Sequence, residues 1–199
     1  MNGHRYFILH KPINMVSQFV SSHEVRLLGD LDFIFPEGTH AIGRLDQNSE
    51  GLLLLTTNKK ITKLLFQGAV PHTRTYWVQV KNKVDASTIE KLAAGIDISA
   101  PNGKAYTTSP CEVKLISDPN LALDPIYALH ENVVSSWLSI TLTEGKFHQV
   151  RKMVSTVHHK CLRLIRASIE SIELEGLKSG EVREIEEALF FEKLRLNAI

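Results

Sequence analysis

The sequence has little that would tie it to an oxidising or membranous setting. Cysteine occurs only at Cys111 and Cys161, and no N-x-[ST] glycosylation acceptor is present. A disulfide scaffold is therefore not expected, and a reducing cytoplasm is the default. No apolar run exceeds four residues, as in Leu52 to Leu55, against the roughly 20 needed to span a bilayer. Met1 to Lys11 offers only the short apolar run Tyr6 to Leu9 and no small-residue cleavage site, too little for a secretory signal. No Gly/Ser/Pro-rich linker, internal repeat or low-complexity tract breaks the chain, so one domain with subdomains is expected. G-x-G-x-x-G, the phosphate-binding loop G-x-x-x-x-G-K-[ST] and the G-x-S-x-G nucleophile elbow are all missing, which argues against nucleotide-dependent and serine-hydrolase chemistry. His158, His159 and Cys161 are the nearest approach to metal ligands. Adjacent histidines point apart and no second ligand pair stands at suitable spacing, so no metal site is expected.

What remains is ordinary globular material, 199 residues and 43% hydrophobic, with an uneven charge. The net charge is +1, yet Lys146 to Arg166 holds Lys146, Arg151, Lys152, Lys160, Arg163 and Arg166 and no acid, leaving an excess of acids elsewhere. Such a window reads either as a solvated face or as a nucleic-acid contact.

Apolar spacing predicts strands at Tyr6 to Leu9 and Val16 to Val20 around the Lys11-Pro12 turn, and a loop with a short helix over Ser21 to Gly38. Further strands are expected near Ala41-Ile42, at Leu52 to Thr56, at Thr75 to Val80 (with Tyr76, Val78 and Val80 on one face) and at Cys111 to Ile116. Trp137 to Leu142, Lys160 to Arg166 and Ile169 to Leu174 complete the expected strands. Helices are expected around Ile61 to Leu65, from a capping box at Ser87 to Glu90 up to Gly95, over Phe147 to Val157, and over Ile185 to Leu194. Four prolines between residues 99 and 135 mark an irregular stretch. Alternating strands and helices indicate an α/β or α+β sandwich.

Two segments carry potential chemistry, Gly43-Arg44-Leu45-Asp46-Gln47-Asn48-Ser49-Glu50-Gly51-Leu52-Leu53-Leu54-Leu55-Thr56 and Glu144-Gly145-Lys146-Phe147-His148-Gln149-Val150-Arg151-Lys152-Met153. A carboxylate set among leucines needs a cation close by to stay ionised. Arg44 and Arg151 are the candidates. A helix starting at Phe147 puts Phe147, Val150, Val154 and Val157 on its buried stripe, with Arg151 on the margin and His148, Lys152 and Ser155 outward, where they can meet phosphates. A purely structural Asp–Arg tie explains the same pattern.

These residues resemble the ribosomal-RNA pseudouridine synthases of the RsuA/RluE type. The likeness runs through Lys11-Pro12, the GRLDQNSEGLLLLT segment, Arg74-Thr75-Tyr76-Trp77-Val78, EGKFHQVRKM and Cys161-Leu162-Arg163-Leu164-Ile165-Arg166. Two departures are Ile13-Asn14 where a glycine often follows Lys-Pro, and Phe147-His148 where Asn-Arg is usual. The resemblance implies an α+β fold with a mixed, mostly antiparallel sheet flanked by helices, and two subdomains, about 1–60 and 61–199, with a cleft between them. It implies one catalytic domain over 1–199 without an N-terminal S4-type domain, a uridine of large-subunit rRNA as substrate (naked or in an assembling subunit), a monomer, no membrane and no cofactor. By the same resemblance Asp46 is the catalytic carboxylate, attacking ribose C1′ or removing the C2′ proton. Arg151 is its charge partner, and Tyr76 stacks on the flipped uracil and assists at C5. Arg44 flanks the extruded nucleotide, Leu164 walls the uracil, and Lys11, Lys146, His148, Lys152 and Arg166 contact substrate or RNA. From the residues alone, Tyr76 and Leu164 read equally as core. The competing reading is a non-catalytic ribosome-assembly factor on the same scaffold. A metal-dependent nuclease would need more carboxylates around Asp46 than Glu50 supplies.

Overall fold

The computed structural model describes residues 3–67, 71–99, 103–119, 133–174 and 176–196. The chain forms two compact units: Met1–His72 with Arg166–Ile199, and Thr73–Ile165. They do not follow a sequential split near residue 60, because the chain from Arg166 rejoins the first unit.

In the first unit, β1 (Tyr6–Lys11) lies between β3 (Glu50–Thr56) and β11 (Val182–Ile185), antiparallel to both. A short β2 (His40–Ala41) pairs with the end of β3. Every residue of β1 and of β3 is buried, as an unbroken apolar strand requires when both faces are covered. On one face Phe7 meets Phe33 and Phe35 at ring-centroid distances of 5.7 and 5.9 Å, and Phe35 meets Phe19 at 5.2 Å. These aromatics, with Met15, Leu28 and Leu31, order a segment whose only helical turn is the 3₁₀ turn Leu28–Asp30. The unit also holds α1 (Ile61–Gln67) and α4 (Glu187–Lys193). The Tyr6 hydroxyl donates to Glu187 at 2.7 Å and accepts from Asn58 at 3.1 Å, and its ring meets Phe190 at 4.6 Å. Burial pushes that hydroxyl's pKa up to about 12.

In the second unit, β4 (Arg74–Lys81), β8 (Ser135–Leu142) and β7 (Glu112–Ile116) form an antiparallel ribbon, and β5 (Asp97–Ser99) pairs with β6 (Ala105–Thr107). Helices α2 (Ala86–Ala94) and α3 (Gln149–Thr156) close its core, in which Val78, Val80, Ile140, Val150, Met153, Val154 and Leu164 are buried. Strand β9 (Cys161–Ile169) carries the chain back into the first unit and turns through Glu170-Ser171 into β10 (Ile172–Glu173), with Ile169 opposite Ile172.

Five local expectations change. The strand expected over Ile169 to Leu174 is instead the end of β9, a turn at Glu170-Ser171 with Glu170 at a left-handed φ of 48°, and the two-residue β10 paired back onto β9. Val16 to Val20 is not a strand: Lys11 donates to the carbonyls of Pro12 and Met15 at 2.7 Å each, Asn14 takes a left-handed φ of 58°, and beyond this turn only a single bridge, Met15 to Arg26, forms. The cap of α2 is Asp85 rather than Ser87, its side chain accepting from the Thr88 N–H at 2.7 Å. Val182 to Ile185 forms β11 and α4 begins only at Glu187. Phe147, expected on the buried stripe of α3, precedes the helix and is 60% exposed; Val150 and Val154 are buried as expected, joined by Gln149 and Met153.

Candidate active site

The loop from Gly43 to Ser49 links two buried segments, and its backbone is held at four consecutive residues. Arg166 Nη1 donates to the Arg44 carbonyl at 3.4 Å. The Ser17 hydroxyl donates to the Leu45 carbonyl at 2.9 Å and accepts from the Leu45 N–H at 3.0 Å. The Ser49 N–H closes a turn onto the Asp46 carbonyl at 3.0 Å, and the Asn14 N–H donates to the Gln47 carbonyl at 2.8 Å. A loop tied this way presents the half-buried Asp46 side chain in one direction, the preorganisation that chemistry at a single carboxylate needs. Gly43 lets the loop leave its strand: its φ is +72°, and a Cβ there would stand 2.8 Å from the Phe66 ring.

Beneath the loop sits a buried group of charges. Lys11 ends β1, and the β1–β3 register sets it opposite Gly51, next to Glu50. Lys11 is 0% exposed, Arg166 3%, and Glu50 is likewise buried. Arg166 Nε donates to the Leu52 carbonyl at 2.7 Å. Burial lowers the Lys11 pKa to about 7, with Arg166 and Arg26 pushing the same way and Glu50 and Asp46 opposing. Lys11 and Arg166, expected among the RNA contacts, turn their cations onto backbone carbonyls inside this unit and offer no surface charge to a phosphate. Arg44, by contrast, is exposed. Sequence reasoning missed Ser17 and Asn14, since a serine and an asparagine in a turn carry no pattern that separates loop clamps from solvent-facing residues.

The other predicted residues lie in the second unit. Tyr76, opposite Ile140 in the β4–β8 register, shares its face with Val78 and Val80 as expected and packs against their core, half-buried at its margin. Leu164 is inside that core. Arg151 is half-buried on α3, with Nη1 3.5 Å from the Cys161 sulfur. Along the outer side of α3 run His148, Lys152 and the exposed Ser155, and Arg151, Ser155, His158, His159, Lys160 and Cys161 line a polar recess. Lys146 is exposed. Arg163, counted in the basic window, is 1% exposed, so the surface part of that window is smaller than the sequence implies. Among the described residues, no three His, Cys, Asp or Glu side chains group as metal ligands, and no helix is long and apolar enough to cross a membrane.

The scaffold is a mostly antiparallel α+β fold with Asp46 fixed on a G-R-L-D loop of the first unit and with Tyr76 and Arg151 on β4 and α3 of the second. The chain belongs to the RNA pseudouridylate synthase family, whose model matches residues 5–156. It is 34% identical to a ribosomal large subunit pseudouridine synthase E of Vibrio vulnificus (strain CMCP6) over 91% of this chain and 75% of that protein. A ribosomal large subunit pseudouridine synthase E of Xanthomonas campestris pv. campestris is 35% identical over 88% of this chain and 92% of that protein. In three dimensions it resembles a crystal structure of a pseudouridylate synthase, with a TM-score of 0.77 and 25% identity over 98% of this chain and 75% of that one.

Proposed function

We propose that this protein isomerises one uridine to pseudouridine in ribosomal RNA, with large-subunit RNA as the substrate class. The relatives' names support that class. The observation that carries the reading is the pinned loop bearing Asp46, with a backbone bond at each residue from Arg44 to Gln47. In the reaction the uracil N1–C1′ bond breaks, the base turns, a C5–C1′ bond forms, and the C5 proton leaves while N1 is protonated. Nothing is oxidised or reduced, and no cofactor is needed. Asp46 acts at ribose as nucleophile on C1′ or as base toward the C2′ proton, and Arg151 supplies the cation that balances its charge. Tyr76 stacks on the extruded uracil and assists proton loss at C5; Leu164 gives the base an apolar wall. Extrusion costs a few kcal/mol, offset by stacking and phosphate contacts. Arg44, Lys146, Lys152 and Lys160 supply positive charge for those contacts, and His148 hydrogen-bonds to the RNA beside them. The protein works in the cytoplasm as a single-domain monomer, on free rRNA or an assembling subunit.

Asp46→Asn keeps the side chain's shape but removes both nucleophile and base. It should hold an rRNA fragment within about tenfold of wild type, roughly 1.4 kcal/mol, while tritium release from C5-labelled uridine disappears. A wild type that binds RNA yet never releases tritium, on fragments and on assembling subunits alike, would favour the assembly-factor reading. A fully active Asp46→Asn variant would remove Asp46 from the mechanism.

A further inference from the structure

The proposed function uses Asp46, Tyr76 and Arg151 at the reacting base but gives no role to the ring of Phe147 in the second unit. Phe147 is 60% exposed. Its ring lies on the His148 imidazole with centroids 3.9 Å apart and planes 16° from parallel. A lone exposed phenylalanine needs no explanation; this one is built into a braced and strained turn. His148 holds the left-handed conformation, φ 54° and ψ 30°, immediately before α3, where a non-glycine residue is uncommon and costs free energy. The turn is fixed from beneath by Gln149, which is buried: its side chain accepts from the Lys146 N–H at 2.9 Å and donates to Glu144 at 2.6 Å. Glu144 also accepts from the Tyr106 hydroxyl and from the Ser109 N–H at 3.1 Å. Glu144, three residues before Phe147, is thereby occupied.

The surroundings of the stacked rings are cationic. Lys152 Nζ lies 5.3 Å from the Phe147 centroid while donating to the Ser99 carbonyl at 2.6 Å. Lys146 Nζ lies 4.5 Å from the Tyr106 centroid, and its side chain is exposed. An exposed stacked aromatic with the Lys152 ammonium beside it and the exposed Lys146 adjoining it in the chain fits a ligand that is itself flat and carries negative charge close by, which is the description of a nucleotide. A hydrophobic peptide would leave the lysines without a counterpart. Beyond the outer side of α3, Ser155, His158, His159 and Lys160 line a polar recess with hydrogen-bonding groups and one ammonium that a phosphate backbone can follow.

We propose that the Phe147–His148 stack is a platform for an unpaired RNA base other than the target uridine, with Lys146 and Lys152 holding the phosphates on either side of it. The inference rests on the RNA-modifying reading above. The platform adds affinity without base identity, because every base has a face to stack. It anchors the strand while the target nucleotide is extruded.

The test compares single-stranded oligouridylate of about 12 nucleotides, within the site sizes of stacking proteins, with an abasic ribose-phosphate strand of equal length and charge. Phe147→Ala should keep its melting temperature, since the side chain is mostly in solvent, and should bind the oligouridylate about tenfold more weakly. Its affinity for the abasic strand should equal that of wild type. Phe147→Trp should restore oligouridylate binding. Equal weakening on both strands would mean that Phe147 only shapes the turn, and unchanged oligouridylate binding would mean that no base stacks there; either result overturns the platform. If the wild type releases tritium from rRNA while Phe147→Ala binds normally, the platform alone is wrong. A wild type that neither releases tritium nor binds any RNA removes both readings.

Discussion

Removing the Lys11 ammonium should change the pH dependence of stability in a way no surface lysine could. Lys11 is fully enclosed, and its two hydrogen bonds go to neutral carbonyls, so burial outweighs the attraction of Glu50 and Asp46 and lowers its pKa from 10.5 to about 7. Because the folded value lies below the unfolded one, the unfolded chain binds the extra proton between these limits. Stability therefore climbs with pH across that window and is insensitive to Lys11 below it. At about 1.4 kcal/mol per pH unit, half-developed near pH 7, the gain from pH 7 to pH 9 is about 2 kcal/mol. Lys11→Met lacks the titrating group and should not share the gain, although it leaves the Pro12 and Met15 carbonyls without their donor and starts from a lower baseline. Urea unfolding of both proteins at pH 5, 6, 7, 8 and 9 isolates the effect. The wild-type advantage should be flat from pH 5 to 6 and should widen by about 2 kcal/mol from pH 7 to 9. Parallel profiles over the whole range would show that Lys11 keeps an ordinary pKa and that the buried charge group is better compensated than its geometry indicates.

Ser17→Ala removes both bonds to the Leu45 backbone and strands a buried amide and carbonyl, so equilibrium unfolding should show a loss of about 1 to 3 kcal/mol. Single-turnover kinetics should show the rate falling more than RNA affinity, since the loop then holds Asp46 less firmly. Lys152→Ala and Lys160→Ala should each reduce the slope of log affinity against log salt by about one, measured by RNA titration over a salt series.

Which strands are buried on both faces was legible from Leu52 to Leu55, because four successive leucines leave no polar face. The shared face of Tyr76, Val78 and Val80 was legible for a related reason: period-two alternation fixes which side chains sit together. Where backbone geometry rather than periodicity decides, the sequence was silent. Val16 to Val20 has strand composition, but the turn closed by the Lys11 ammonium directs the chain away from a hairpin partner. Val182 to Ile185 runs straight into the pattern of α4, and only its pairing with β1, more than 170 positions away in the chain, makes it a strand. A return of the chain into the first unit at Arg166 is likewise a long-range event with no local signature.

The same limit shows in the basic window, where one residue type serves two opposite purposes. Arg163 and Arg166 stand three apart on β9, hence on opposite faces of an extended strand, and both are at most 3% exposed; β9 is covered on each side. Lys146 and Lys160 lie outside the helix and strand of that window, and Lys152 lies on the outer side of α3. Arginine suits the interior because its planar fork reaches several carbonyls at once, as Arg166 does with Arg44 and Leu52, and its charge is more weakly hydrated than an ammonium. The lysines, with compact and strongly hydrated charges, remain where phosphates can reach them. Counting the whole window as RNA-binding surface therefore overstates its electrostatics. The expected salt dependence belongs to the exposed lysines, while Arg166 is spent on the backbone of the Asp46 loop and of the strand that follows it.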